Sequence, residues 1–212
     1  MIFLLHASEK NFEMMTLLSR FISVILHPLI IPLAGILLIL ASGGYLHSLP
    51  WAAVKIILII VFVTSFAFPM SIVPFLYYRK ITGNSSSPDD YQKLWPLLVT
   101  LIFYFLGYYI LNRIGAPQIT GKFMLGCVIL AFILLFISTR WNISMHMAGI
   151  GCLAGTIINI PGSSGFNLQI FLISTILAAG LLGFSRLFLN LNKPAEVYTG
   201  FAAGFAVFAL IM

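Results

Sequence analysis

Near the C-terminus, Ser185-Arg186 is followed across five residues by Asn192 and across three more by Glu196, with Val197 and Gly200 just beyond. Cations, amides and a carboxylate collect there in an otherwise apolar region. A guanidinium beside a hydroxyl can hold a phosphate through paired hydrogen bonds. Asn192 and Glu196, four apart, fall on one helical face. A second group is Arg140, Ser144 and His146. An ionisable residue one turn into an apolar span is a site hypothesis by default, and an imidazole can act as an acid near neutrality. Each residue also has a plainer reading. His146 can be a neutral imidazole bonded to a neighbouring helix, and Arg186 can snorkel to an interface. Lys93 and Lys193 can anchor to head groups. Pro194 can begin a helix that Asn192 helps to cap, with Glu196 suiting its positive first turn.

The elements that must position these residues are membrane helices. The chain has 212 residues, 61% hydrophobic and 8% charged, with a mean hydropathy of +1.09. Soluble domains carry about 25% charged residues, so most of this surface must face lipid. A bilayer forces the backbone to satisfy its own hydrogen bonds, and segments apolar throughout exclude the alternation of a barrel strand. The fold class is therefore all-α, a polytopic transmembrane bundle of about six to seven spans. A net charge of +6 is too sparse for nucleic acid and suits anionic head groups better. Cys127 and Cys152 lie inside apolar runs and read as packing residues, neither disulfide nor metal pair. No metal or cofactor is implied. No small-residue cleavage site follows a short apolar core near the N-terminus, so no removable signal peptide is expected.

Residues 1–20 read as an amphipathic segment lying at the interface, and 21–212 as a single transmembrane domain. The expected spans are 21–41, interrupted by His27-Pro28 and Pro32; 52–78, kinked by Pro69 and Pro74; 95–112; 121–139; 143–160; 166–184; and 197–212. Polar loops at 79–94, 140–142 and 185–196 separate pairs of spans, so an even number of crossings returns all three to one membrane face. On that count Lys93, His146 and the Ser185–Glu196 stretch can share a site. His27, placed inside the first span, and His47, placed on the opposite face, are left out of it.

Over about residues 79–210 the sequence resembles the type 2 phosphatidic acid phosphatase family, membrane enzymes that dephosphorylate lipid phosphates and pyrophosphates. The family's third motif is Ser-Arg, five residues, His, three residues, Asp, then Val and a nearby Gly. Ser185-Arg186, Asn192, Glu196-Val197 and Gly200 keep that spacing. Its second motif, Pro-Ser-Gly-His, corresponds to Ile143-Ser144-Met145-His146, which retains the Ser and the His. Its first motif ends in Arg-Pro; Gln92-Lys93-Leu94-Trp95-Pro96 keeps the Pro. The resemblance implies His146 as the acid, Arg186, Ser185, Ser144 and Lys93 as phosphate-binding residues, and Glu196 as the acceptor that would orient a nucleophile. Asn192 stands where the attacking histidine belongs. Its amide nitrogen is conjugated into the carbonyl and has no free lone pair, so it can hydrogen-bond a phosphate but cannot form a phospho-enzyme.

Three functions compete on these residues. The first is a divergent member that binds a lipid phosphate or pyrophosphate head group with weak or no hydrolysis. The second is an active phosphohydrolase in which His146 works with an activated water. The third is a non-catalytic structural or transport component. Lys10, Arg20, Arg79, Lys80, Lys93, Arg140, Arg186 and Lys193 lie on the site's face, against Lys55, Arg113 and Lys122 on the other. The positive-inside rule then sets the site on the cytoplasmic side of a bacterial-type cytoplasmic membrane.

Overall fold

The computed structural model describes residues 2–42, 48–72, 89–160 and 167–212, with the side chains of 2–11 and 89–93 excepted. Every regular element among them is helical: α1 (Ile2–Ile25), α2 (Ile31–Ser42), α3 (Trp51–Ile72), α4 (Asp89–Arg113), α5 (Gln118–Ser138), α6 (Met145–Asn159), α7 (Leu168–Phe188) and α8 (Pro194–Ile211). Five stretches are long and apolar enough to cross a membrane: α3, Leu94–Arg113 within α4, α5, α7 and α8. Two expected spans are shorter. With 12 and 15 residues, α2 and α6 are about 18 and 22 Å long, against a hydrocarbon core of about 30 Å. Large apolar side chains cover the outside, Phe132, Phe136, Ile173 and Leu177 among them. That is the surface expected of a bundle dissolved in lipid.

Two boundaries differ from the sequence reading. No break falls at residue 20, because α1 runs unbroken to Ile25 and packs along α7, with Phe12 and Phe188 rings 5.5 Å apart. The break comes at Leu26–Ile30, where Pro28 has no N–H to donate and disfavours helical backbone at His27 before it. The segment expected as the first crossing is thus a broken helix. In α3 the irregularity precedes Pro69: a π-helical turn spans Val63–Ala67, and the Phe68 N–H that closes it donates to the Val63 carbonyl. Pro74 lies outside the described residues.

The tightest packing joins α6 to α8. A side-chain carbon at Gly200 would come within 2.5 Å of the Ser144 carbonyl oxygen, and one at Gly155 within 2.6 Å of the Phe205 carbonyl oxygen. Gly204 lies as closely against Ala148. Small residues let helix backbones approach where burial of apolar surface gives no driving force between helices. The consequence for the site is direct. The N-terminus of α6 sits against the first turns of α8, and the Ser144 N–H donates to the Glu196 carbonyl at 3.2 Å.

Candidate functional site

The loop between α7 and α8 explains why the spacing from Arg186 to Glu196 works. Helix α7 ends with Leu189, and Asn190 adopts a left-handed backbone at φ 51°. The Asn190 N–H donates to the Leu187 carbonyl at 3.0 Å and the Leu191 N–H to the Arg186 carbonyl at 3.1 Å. These two bonds define a Schellman termination, which reverses the chain within two residues. Asn192 is thereby folded back onto the last turn of α7, and Lys193 becomes the residue before Pro194 at the start of α8. The cap at that start is Glu196, whose Oε2 accepts the Lys193 N–H at 3.0 Å, half of a capping box. Asn192, expected to help cap, has a different task.

Its side chain bridges two charged groups. Arg186 Nε donates to Asn192 Oδ1 at 2.9 Å, and Asn192 Nδ2 donates to Glu196 Oε2 at 2.9 Å. Glu196 is only 5% exposed, so its carboxylate depends on these donors. The arrangement fixes the amide orientation, with oxygen toward the guanidinium and nitrogen toward the carboxylate. Arg186 is held by Nε alone among the described residues, so its two Nη groups, four N–H donors, remain for a ligand. One N–H of Asn192 remains as well.

Arg186 and Asn192 stand at the head of a cavity of about 420 Å³. His146, second residue of α6, also lines it, where the helix dipole favours an anion and no side chain caps the helix. Below the head the walls are apolar: Ile31, Pro32, Leu97, Leu130, Ala131 and Leu134, reaching down to Cys127 and Cys152. Both cysteines are free and buried. Cys127 lies 11 residues below Ser138 on α5, so the cavity reaches about 16 Å into the bundle.

The other expected site residues are placed differently. Ser185 Oγ donates to the Leu181 carbonyl of its own helix at 2.8 Å, and its side chain is buried away from the cavity lining. Ser144 is 1% exposed and also off the lining; its Oγ has no hydrogen-bond partner among the described residues. Lys93 lies in α4, one turn before the cavity-lining Pro96, but its side chain is outside the described residues. Arg140 and Lys193 are exposed.

One cavity residue was excluded by the sequence reading and has to be restored. The break at Leu26–Ile30 turns His27 into the cavity, its ring centroid 5.5 Å from that of His146 and nearly perpendicular to it. A helix counted as continuous hides this, because side chains of a continuous span are assigned by turn and face. The available signal was His-Pro inside an apolar run. A proline frees backbone groups there, and irregular backbone at membrane depth is tolerated where it lines a cavity. Tyr104 braces the break, its hydroxyl donating to the Pro28 carbonyl at 3.5 Å. Among the described residues no three His, Cys, Asp or Glu side chains converge as a metal site would require.

No protein-family model, curated protein or solved structure matches the chain.

Proposed function

We propose that this protein is a divergent relative of the type 2 phosphatidic acid phosphatases that binds a lipid phosphate or pyrophosphate and hydrolyses it weakly or not at all. The observation that carries the reading is the line Arg186–Asn192–Glu196 at the head of an apolar cavity. Four guanidinium N–H groups, an amide N–H and the N-terminal end of α6 suit a phosphate, and the walls below suit a hydrocarbon chain. Asn192 occupies the nucleophile's position in the motif, and both ends of its amide are engaged by charged neighbours. It holds Arg186 in place and does not attack phosphorus. The site's end of the bundle, richer in Lys and Arg, is assigned to the cytoplasmic side.

The test uses the purified protein in nanodiscs with a fluorescent dialkylglycerol phosphate, measuring binding and released phosphate together. The expected result is saturable binding with no turnover above background. Asn192→His, whose Nδ1–H can take over the bond to Glu196 and leave Nε2 free to attack, is expected to release phosphate. Turnover in the unmodified protein, abolished by His146→Ala, would establish the water-activated hydrolase. Absence of binding in both forms would leave a structural or transport role.

A further inference from the structure

We infer that His27 is a ligand-contacting residue of this site, presenting a fixed Nε2–H donor to the phosphate. The inference rests on the phosphate-binding reading above and adds a residue outside all three motif segments. Its basis is the way the broken helix holds the ring. The Leu29 N–H donates to His27 Nδ1 at 3.3 Å. A nitrogen that accepts a hydrogen bond carries no proton, so in the neutral ring the proton resides on Nε2. The tautomer is therefore set by the backbone of the break itself. Nε2–H has no acceptor among the described residues, and the ring lines the cavity that Arg186, Asn192 and His146 also line.

A further observation points to the same place. Ser138 Oγ, on the cavity wall, is buried and has no hydrogen-bond partner among the described residues. Buried polar atoms are nearly always satisfied, so such an atom beside an anion cup marks where a polar ligand or its water completes the bonding. A neutral donor also suits a cup that already holds a guanidinium. It adds a hydrogen bond without adding a second positive charge that would have to be supported when the cavity is empty.

Two variants separate contact with ligand from support of the fold. In His27→Asn the amide oxygen can stand in for Nδ1 and keep the Leu29 bond, while the Nε2–H donor is lost. In His27→Gln the amide nitrogen can stand near Nε2 and keep the donor, while the Leu29 bond is lost. Binding of the fluorescent dialkylglycerol phosphate in nanodiscs is expected to weaken about ten- to hundredfold in His27→Asn, as for a hydrogen bond to a charged group, and to stay within about threefold in His27→Gln. The reverse order would show a brace and overturn the inference, as would wild-type affinity in His27→Asn or equal losses in both. If the unmodified protein binds no phosphate lipid, the functional reading fails first, and the inference with it.

Discussion

If Asn192 acts by holding Arg186, the two residues must be energetically coupled in ligand binding, and a double-mutant cycle measures that coupling. Arg186→Ala removes the fork that faces the cavity, and Asn192→Ala removes the acceptor at 2.9 Å that anchors it. Fixing a long, rotamer-rich side chain on binding costs about 0.5–1.5 kcal/mol, which Asn192 has already met in the free protein. The remaining Asn192 N–H adds about 1.5–3 kcal/mol if it donates to a charged phosphate oxygen. Asn192→Ala alone should then weaken lipid-phosphate binding by about 2–4.5 kcal/mol, or about thirtyfold to two-thousandfold. Once Arg186 is gone there is nothing left to hold, so Asn192→Ala in the Arg186→Ala background should cost less by about 0.5–1.5 kcal/mol, the pre-organisation share alone. The titration is carried out in nanodiscs at fixed ionic strength, with thermal unfolding of all four proteins as the folding control. Strict additivity, with an interaction below about 0.3 kcal/mol, would refute the argument. Asn192 would then be a cap ornament of α8 with no share in positioning the cation.

Three other outcomes follow from the geometry. Asn190→Val places a β-branched residue at φ 51° and should lower stability by about 1–2 kcal/mol, while Asn190→Gly should leave it nearly unchanged; detergent melts compare them. Gly200→Ala pushes a methyl group against the Ser144 carbonyl at 2.5 Å and should destabilise by about 1–3 kcal/mol and impair ligand binding together, since the same contact seats His146. Lys193→Cys, exposed at the site's end, should react with a membrane-impermeant maleimide in inside-out vesicles and resist it in right-side-out ones; the opposite pattern would reverse the assigned orientation.

How much of this could be read from the residues varies from one to the next. Long apolar runs betray α3, α4, α5, α7 and α8 because lipid demands uninterrupted apolar length, and counting crossings correctly joins the Arg140–His146 region to the Ser185–Glu196 stretch, as the bond from Ser144 to Glu196 shows. The spacing from Arg186 to Glu196 was legible, but the reason for it was not: a left-handed residue at Asn190 is a backbone property that Asn favours without requiring. Side-chain direction was the least legible. Ser185 is next to Arg186 in sequence and bonds to its own helix instead, because neighbours on a helix are about 100° apart. His27 escaped because its position depends on where a proline breaks a helix in three dimensions. Orientation across the membrane leaves no mark on helix packing at all.

The shortness of α6 has a consequence for where polar groups can stand. A helix of 15 residues falls about 8 Å short of the hydrocarbon thickness, yet most of those residues are buried against neighbouring helices and do not face lipid. Its N-terminal end therefore needs no lipid to meet it: Asn142, Ile143 and His146 line the cavity instead. Irregular backbone is tolerated there because it borders a cavity and not hydrocarbon. A short, enclosed helix thus lets the bundle carry an imidazole below its own surface without exposing it to the bilayer.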